Sequence, residues 1–293
     1  MAQILDGRLV SNLLIDQVKQ EIDQIAEGGM HPKLVIILVG EDPASLSYIT
    51  QKRKAADRAG LVYEQIDYPI DVTEAEILDK IEQLNEDIET HGILVQLPLP
   101  PHIDIPKVLK AISPRKDVDG FHAYNVGKMF LSSEFENLVP CTPKGIIRML
   151  DHYNIDVKGM DVTIIGHSNI VGKPMAVMLM NRNATVTVCH IDTKDLKANT
   201  LRADIVISAT GVAGLLKADM IKEGAIVVDV GCTKGADGKL CGDVDFAEVE
   251  KKASYITPVP GGVGPMTVAC LIENTLEAYK WLQEHNFEAT NIK

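Results

Sequence analysis

The 293-residue sequence contains few cysteines, and those it has form no recognisable framework. Their number is odd, and no two of them make a C-x-x-C pair. Scattered thiols of this kind encode neither a disulfide scaffold nor a zinc site. We therefore expect free thiols, a reducing compartment and no bound metal. The five cysteines are Cys141, Cys189, Cys232, Cys241 and Cys270.

Basic residues are also in deficit. The chain has 29 lysines and arginines against 41 aspartates and glutamates, which gives a net charge of −12. A negative field does not attract a phosphate backbone, so nucleic acid is not expected as a partner. An anionic substrate would have to be met by a local cation.

Long apolar runs are missing as well. No segment reaches the roughly 18 consecutive apolar residues that a membrane span needs. The N-terminus, MAQILDGRLVSNLL, lacks the basic region and the uninterrupted apolar stretch of a signal peptide. We therefore expect a cytoplasmic protein without a membrane partner. With 46% apolar and 24% charged residues, the chain has a globular composition and is long enough for one large domain or two.

Helix and strand patterns alternate through the first 100 residues. Apolar residues recur at helical spacing, and short continuous apolar runs such as KLVIILVG stand between these segments. Gly60 is placed to end one helix, and Thr73 with Glu76 forms a capping-box pattern at the start of another. This alternation predicts a parallel sheet covered by helices. The predicted helices span 9–25, 43–60 and 73–90, and the predicted strands span 33–40, 61–68 and 92–101.

A second alternating region follows a stretch of loops and short helices between about 101 and 141. Its first helix starts near Cys141, where Thr142 is predicted to cap and Pro143 suits the first turn. Apolar strands at 161–166, 185–190, 204–211 and 225–231 then predict a second doubly wound unit. The last amphipathic helix, 266–285, is expected to pack back on the first domain. The predicted domains are 1–140 together with 268–293, and 141–267.

The stretch GHSNIVGKP, residues 166–174, joins the first strand of the second unit to a helix. Free amides at a helix start favour a phosphate, and Gly166 and Gly172 permit close backbone approach. The fingerprint G-x-G-x-x-G lacks its middle glycine here, so an ordinary strand-to-helix turn is the competing interpretation. The SATG and DVG turns that follow later strands lie at the same predicted sheet edge, where such folds bind ligands.

Three polar residues of the first domain are candidates for chemistry. Tyr48 and Lys52 stand four apart on a predicted helix and share a face, so they form a proton-handling pair if that face borders a cleft and a surface contact if it borders solvent. The neighbouring Arg53 and Lys54 have the character of a solvated face. Gln96 interrupts a buried strand and must either satisfy a loop backbone or reach into a site.

Two loop motifs are open to two interpretations each. Asp117 and Asp119 in KDVDGF are carboxylates beside a glycine, which suits both turn chemistry and a site at a sheet edge. PVPGGVGPMT, starting at 258, packs prolines and glycines just before a helix. That segment can let backbone approach a ligand, or it can link two domains.

Six segments follow one another in order: VGEDPASLSYITQKRKAA, GILVQLPLPPH, KDVDGF, PCTPKG, GHSNIVGKPMA and TPVPGGVGPMT. Together they resemble the bifunctional methylenetetrahydrofolate dehydrogenase/cyclohydrolase family, and the resemblance extends over nearly the whole chain. The resemblance implies an α/β enzyme of two domains, an N-terminal catalytic domain and a Rossmann-type doubly wound nucleotide-binding domain, with a cleft between them. It implies a homodimer that oxidises 5,10-methylenetetrahydrofolate with NADP and hydrolyses the methenyl product to 10-formyltetrahydrofolate.

The resemblance also implies roles for the catalytic residues. Lys52 corresponds to the lysine that handles proton and water chemistry in the cyclohydrolase step, and Tyr48 to the tyrosine that lines the folate ring system. Gln96 corresponds to the glutamine that contacts and tunes the lysine. Asp119 corresponds to the acid that holds the pterin, and a carboxylate suits two adjacent donors. The other expected folate contacts are Val95, Leu97, Pro260, Gly261 and Gly262.

The cofactor-binding residues depart from the family pattern. The family usually reads G-R-S in the phosphate turn and C-H-S after the second strand, whereas this chain reads GHS and CHID. Arginine and serine suit the 2′-phosphate of NADP, but Asp192 lies 20 positions after Gly172, where dinucleotide folds place the acid that binds an NAD ribose. We expect NADP with weakened discrimination, and NAD is the alternative. The expected cofactor contacts are Gly166, His167, Ser168, Ile191, Asp192 and Cys232.

Two other classes of protein fit parts of the pattern. A dehydrogenase of a small hydroxy or keto acid, such as a shikimate dehydrogenase, shares the two-domain layout but has no need for KDVDGF or PGGVGP. A nucleotide-binding protein without catalysis has no need for Lys52, Gln96 and Asp119. Turnover of methylenetetrahydrofolate distinguishes the bifunctional enzyme from both.

Overall fold

A computed structural model describes residues 1–25, 29–235 and 238–285. The chain divides into two compact units, which we call the N-terminal unit and the central unit. The N-terminal unit comprises Asn12–Lys128, Glu134–Cys141 and the chain from Val268 onward, and the central unit comprises Met1–Ser11, Met129–Ser133 and Thr142–Thr267. The sequence-based division differs in keeping residues 1–11 and 129–133 with the first domain and Cys141 with the second. Residues 286–293 of its C-terminal part lie outside the described residues.

Strands and helices alternate along the chain, so the predicted α/β class is confirmed. The strands are β1 (Gln3–Ile4), β2 (Lys33–Val39), β3 (Val62–Tyr68), β4 (Gly92–Val95), β5 (Asp161–Ile165), β6 (Thr185–Cys189), β7 (Ile205–Ser208), β8 (Ile226–Asp229), β9 (Thr233–Lys234), β10 (Leu240–Cys241) and β11 (Tyr255–Ile256). The helices are α1 (Gly7–Ile25), α2 (Pro43–Ala59), α3 (Glu74–Glu86), α4 (Ile105–Ala111), α5 (Ala123–Met129), α6 (Cys141–His152), α7 (Gly172–Met180), α8 (Leu196–Arg202), α9 (Phe246–Val249) and α10 (Val263–Glu284).

The N-terminal unit is built on a three-stranded parallel sheet in the order β3-β2-β4. The central strand β2 is buried from Leu34 to Val39, as expected for a parallel strand covered on both faces. Helix α2 is fixed at both ends: the Asp42 carboxylate accepts from the Ser45 amide at 2.8 Å, and Gly60 ends the helix with a φ of 83°. This confirms the predicted end at Gly60.

Helix α3 starts with the predicted capping box. The Thr73 hydroxyl accepts from the Glu76 amide at 3.3 Å, and the Glu76 carboxylate accepts from the Thr73 amide at 2.9 Å. Two of the free amides at the helix start are satisfied in this way. The buried side chains of α3, Ile77, Ile81 and Leu84, belong to the same apolar core as β2 and β4.

The central unit is a six-stranded sheet in the order β1-β11-β8-β7-β5-β6, in which every pairing is parallel. After β5 the chain first adds β6 on one side and then β7 on the other. The reversal between β5 and β7 is a topological switch point, and ligands of such sheets bind outside the carboxyl ends of the strands there. Because β1 pairs with β11 in this sheet, residues 1–11 group with the central unit.

The cap of α6 and the start of α10 differ from the sequence-based expectation. Helix α6 begins at Cys141, so Thr142 lies inside it and contacts the Thr267 hydroxyl at 2.9 Å instead of capping. Helix α10 begins at Val263, before the predicted start at 266. From Val268 onward α10 groups with the N-terminal unit, where the Asn274 amide donates to the carbonyls of Val118 and Val139 at 2.9 and 3.0 Å. Within the described ranges, no helix has the length and apolar character to cross a membrane.

Candidate active site

Lys52 is the buried centre of a polar cluster in the N-terminal unit. Its side chain faces inward from α2 and is 8% exposed, whereas the neighbouring Arg53 and Lys54 are exposed. The Lys52 ammonium donates to the Gln96 side-chain oxygen at 2.9 Å. Tyr48 lies one turn earlier on α2 and is half-buried. The structure therefore favours the interior interpretation of Lys52 and brings it together with Gln96.

Burial controls the ionisation of the cluster. It lowers the pKa of Lys52, although the nearby Asp119 and Cys141 act in the opposite direction. It raises the pKa of Asp119, and the Lys52 charge partly offsets this effect. Both shifts follow from the loss of water around a charge. A lysine whose pKa is lowered has a larger neutral fraction near neutral pH, which suits it to accept and return a proton.

Gln96 both satisfies a loop backbone and reaches into the polar cluster, which are the two interpretations that its sequence position left open. It follows β4 directly, and its backbone amide donates to the Ile37 carbonyl at 2.9 Å, which extends the pairing of β4 with β2. Its side-chain amide donates to the Leu97 carbonyl at 2.7 Å. The side-chain oxygen is thereby oriented toward the Lys52 ammonium. Val95, at the end of β4, is buried, and Leu97 is half-buried.

The Gln96→Glu substitution should change the pH dependence of any reaction that uses Lys52. A carboxylate at this position places an opposite charge within hydrogen-bond distance of the ammonium, which favours the charged form and raises the pKa of Lys52. If the neutral amine is the working base, the rate at neutral pH should fall about tenfold or more, and its rise should move to higher pH. A pH–rate profile checks this. The isosteric Gln96→Met should lower the rate without that alkaline displacement.

The two acids of KDVDGF have different environments. Asp117 is 2% exposed, and its carboxylate accepts from the amides of Phe121 and His122 at 3.3 and 2.8 Å and from the Asn125 side chain at 2.9 Å. These are the bonds of a turn. The Asp119 carboxyl interacts instead with Lys52 and with the Cys141 thiol. Turn chemistry therefore describes Asp117, and Asp119 belongs to the polar cluster.

Replacing each of these acids with alanine should separate stability from chemistry. Asp117→Ala leaves the Phe121 and His122 amides without this acceptor and takes one of two acceptors from the Asn125 side-chain amide, so it should lower the free energy of unfolding by about 2–4 kcal/mol. Asp119→Ala removes no turn bonds but takes away the carboxyl beside the Lys52 charge, so it should lower the free energy of unfolding by less than Asp117→Ala does and instead abolish substrate binding. Urea unfolding and initial rates at varied substrate concentration check both. Equal loss of stability in the two variants would contradict this distinction.

In the central unit, Gly166 and Gly172 are required by close backbone approach. Gly166 follows β5 with a φ of 114°, and a Cβ there would collide with the Ala209 carbonyl at the end of β7. A Cβ on Gly172 would collide with the Gly166 carbonyl. The turn is therefore folded tightly against β7 so that α7 begins at the carboxyl edge, which suits a dinucleotide phosphate.

The remaining turn residues are exposed at this edge. The Ser168 hydroxyl accepts from the amides of Val171 and Gly172 at 3.1 and 3.4 Å, so it orders the start of α7. His167 and His190 form an edge-to-face ring pair with centroids 4.9 Å apart. Ile191 is 94% exposed, and the Asp192 carboxylate lies 3.6 Å from the His190 ring. The structure thus places an imidazole pair and a carboxylate near the ends of β5 and β6.

Two other predicted contacts lie in the central unit. Cys232 is an exposed free thiol after β8. In the glycine-rich segment before α10, Pro260 is exposed while Gly261 and Gly262 are buried. The Arg8 amide donates to the Gly261 carbonyl at 3.1 Å, and a Cβ on Gly7 would collide with the Gly262 carbonyl. This segment is therefore hydrogen-bonded to the start of α1 and packed closely against it, which agrees with its interpretation as a structural link.

Sequence reasoning missed several residues around these sites. Cys141 contacts Asp119, but in the sequence it is only one of several scattered cysteines. Asp229 and Asp243 form a buried pair beside the SATG and DVG turns, whose sequences by themselves indicate only turns. An aspartate at the end of an apolar strand, DVG, was the available signal. Across the described residues, no group of three or more His, Cys, Asp or Glu side chains is arranged to hold a metal.

Comparison with known proteins assigns both units. The tetrahydrofolate dehydrogenase/cyclohydrolase catalytic-domain profile matches residues 5–119, and the NAD(P)-binding-domain profile of the same family matches residues 140–283. The bifunctional protein FolD of Aquifex aeolicus is 53% identical over 292 residues, covering 99% of this chain and all of that protein. FolD of Nautilia profundicola is 52% identical over 277 residues, covering 94% of this chain and 97% of that protein.

Solved structures agree. A crystal structure of the bifunctional FolD dehydrogenase/cyclohydrolase of Campylobacter jejuni has a TM-score of 0.93 at 49% identity, covering 96% of this chain and 99% of that one. The Trypanosoma brucei enzyme, in complex with NADP and an inhibitor, has a TM-score of 0.92 at 38% identity, covering 96% and 98%. A shikimate dehydrogenase from Listeria monocytogenes, with a TM-score of 0.51 at 16% identity, shares only the fold. The chain belongs to the tetrahydrofolate dehydrogenase/cyclohydrolase family.

Proposed function

We propose that this chain oxidises 5,10-methylenetetrahydrofolate to the 5,10-methenyl cation and hydrolyses that cation to 10-formyltetrahydrofolate. In the first reaction a hydride leaves the one-carbon bridge and reduces NADP. In the second, water adds to the methenyl carbon, one carbon–nitrogen bond of the bridge breaks, and a proton is released. The buried Lys52 that donates to Gln96 beside Asp119 carries the proposal, because it supplies a proton-transfer group where the family's catalytic lysine is expected.

Lys52 takes the proton from the attacking water and returns it to the departing ring nitrogen. Gln96 holds the amine in place through its side-chain oxygen. Asp119 binds the pterin through its carboxylate, which can accept from two adjacent donors. The expected contacts with the ring system are Tyr48, Val95, Leu97 and the segment Pro260–Gly262. The hydrolytic step requires no metal ion, because the methenyl carbon is already cationic.

The nucleotide binds at the carboxyl edge of the central sheet. When bound, NADP supplies the hydride acceptor. The tight turn between Gly166 and Gly172, where the glycines permit close backbone approach, would hold the phosphates. His167, Ile191 and Asp192 face the adenosine ribose, and Cys232 lies on the turn after β8. NADP is the expected cofactor. NAD is the alternative, because the Asp192 carboxylate can bind the ribose of NAD.

We also propose that the active protein is a cytoplasmic homodimer. Its family membership and the pattern of free thiols support this. Analytical ultracentrifugation of the purified protein, with and without NADP, checks the oligomeric state. A sedimentation coefficient that fits a monomer at micromolar concentration would contradict it.

An absorbance assay tests the function. Methylenetetrahydrofolate with NADP should give methenyltetrahydrofolate, which has its own absorption band, and the enzyme should then accelerate the decay of that band in water. Parallel assays with NAD give the cofactor preference as a ratio of kcat/KM. Failure to turn over methylenetetrahydrofolate with either cofactor would contradict the proposal and revive a non-catalytic nucleotide-binding role.

A further inference from the structure

A buried pair of carboxylates lies at the carboxyl ends of the central strands. Asp229 is the last residue of β8 and is 4% exposed, and Asp243, which follows β10, is completely buried. Neither carboxylate has a described ion-pair partner. Burying two like charges beside each other costs free energy, so the pair needs an explanation beyond packing.

One oxygen of Asp243 organises the turn after β7. Its Oδ2 accepts from the Ser208 hydroxyl at 2.9 Å, from the Thr210 amide at 2.6 Å and from the Thr210 hydroxyl at 2.9 Å. The Thr210 hydroxyl in turn accepts from the Val212 amide at 3.2 Å. A single carboxylate oxygen therefore determines the backbone path from Ser208 to Val212.

The backbone of Asp243 ties this turn to the turn after β8. Its amide donates to Asp229 Oδ1 at 2.9 Å, and its carbonyl accepts from the Leu216 amide at 3.0 Å. Asp229 Oδ1 also accepts from the Gly231 amide, and Asp229 Oδ2 accepts from the Val244 amide, both at 2.9 Å. The two acids thus hold the ends of β7 and β8 in one bonded network.

The network has features that a purely structural link would not need. Asp243 Oδ1 is buried without a hydrogen-bond partner among the described residues. A Cβ on Gly231 would collide with the Asp243 carboxylate, and a Cβ on Gly242 would collide with that of Asp229. Burial, together with the charge of Asp243, raises the pKa of Asp229 to about 6. Arrangements that cost stability are commonly retained where function requires them.

The 208–212 turn, which Asp243 organises, also packs against the turn from Gly166 to Gly172. We call the latter the phosphate turn. The Ala209 carbonyl, between Ser208 and Thr210, occupies the place where a Cβ of Gly166 would be. Any shift of the 208–212 turn therefore changes the surface against which Gly166 is folded. Asp243 does not lie in the phosphate turn itself, but it acts on that turn through Thr210 and Ala209.

We propose that Asp243 is a positioning residue for the dinucleotide: it fixes the 208–212 turn and, through Asp229, the 229–232 turn, so that the carboxyl edge is preorganised before the cofactor binds. This inference rests on the proposed function and adds a residue to it. Preorganisation lowers the cost of ordering the site on binding, so its loss weakens affinity for the cofactor. It leaves the hydrolytic step, which depends on Lys52 in the N-terminal unit, unchanged.

The test compares Asp243→Ala and Thr210→Val with the wild-type protein. Asp243→Ala removes the acceptor of three hydrogen bonds, and its dissociation constant for NADP, measured by isothermal titration calorimetry, should rise about tenfold or more. Thr210→Val removes only the hydrogen bonds of the hydroxyl and should raise the dissociation constant for NADP about threefold. This variant provides the test if Asp243→Ala does not fold. Cyclohydrolase turnover should stay within about twofold in both variants. Asp245→Asn is the control. It removes the same negative charge two residues further along the chain, where the Asp245 side chain makes no capping hydrogen bond, so its affinity for NADP should match that of the wild type.

Three outcomes overturn parts of this scheme. Unchanged NADP affinity in folded Asp243→Ala and Thr210→Val overturns the inference alone. Parallel loss of both activities, together with a lower melting temperature in Thr210→Val, shows a general structural role and also overturns it. A wild-type protein that neither binds NADP nor oxidises methylenetetrahydrofolate overturns the proposed function, which is a distinguishable result.

Discussion

Lys52→Met is expected to lower cyclohydrolase turnover by roughly 10²- to 10⁴-fold, the range that a positioned proton-transfer group contributes. Methionine fills similar space but neither accepts nor donates a proton. Hydride transfer moves no proton, so the dehydrogenase rate should fall by less than about tenfold. Single-turnover decay of the methenyl absorption, measured apart from cofactor reduction, checks both expectations.

The same substitution should not destabilise the protein. Because burial lowers the pKa of Lys52, the ammonium opposes folding at pH values below that lowered pKa, and the penalty shrinks as pH rises toward 10.5. Methionine carries no such penalty, although Gln96 loses its donor. The variant should therefore melt at or above the wild-type temperature at neutral pH, with a smaller difference at alkaline pH.

Lys54→Met is the matched control. Lys54 lies two residues further along α2 and is exposed, so its replacement should leave both activities within about twofold of wild type. A Lys52→Met protein that folds and keeps its cyclohydrolase turnover would remove Lys52 from the hydrolytic step.

His167→Arg is expected to raise the NADP-to-NAD ratio of kcat/KM about tenfold. A guanidinium can make two charge-assisted hydrogen bonds to the 2′-phosphate, and tenfold corresponds to about 1.4 kcal/mol. Wild-type His167 offers only the ring that stacks edge-to-face on His190. Steady-state rates with each cofactor, at saturating folate, measure the ratio.

The carboxylate of Asp192 should act in the opposite sense. It is 86% exposed beside His190, so it can accept from a ribose hydroxyl and repel a 2′-phosphate. Asp192→Asn should therefore lower kcat/KM for NAD and raise it for NADP, while His152→Arg, an exposed position on α6, should change neither. A wild-type enzyme with a strong NADP preference that Asp192→Asn leaves unchanged would contradict a role for Asp192.

Sequence motifs predicted helix ends correctly where the residues that form the cap are close together in the chain. Gly60 ends α2 because only a residue tolerant of positive φ fits there, and the Thr73–Glu76 capping box forms within four residues. The start of α6 near Cys141 was predicted correctly, but its cap was predicted wrongly. Thr142 had the character of a cap, but its hydroxyl contacts Thr267, which is 125 positions away, and no local pattern encodes that contact.

The sequence by itself determined the α/β class, the candidate residues and, through six segments, the family resemblance, because periodicity, caps and motifs are written in neighbouring residues. Tertiary structure alone decided which face of α2 is buried and that Asp117 serves a turn while Asp119 joins Lys52. It also revealed that hydrogen bonds of Asp229 and Asp243 hold the ends of β7 and β8 together. The physical reason is that burial and hydrogen bonding between distant segments set the ionisation and the role of a polar side chain, and neither is fixed until the chain has folded.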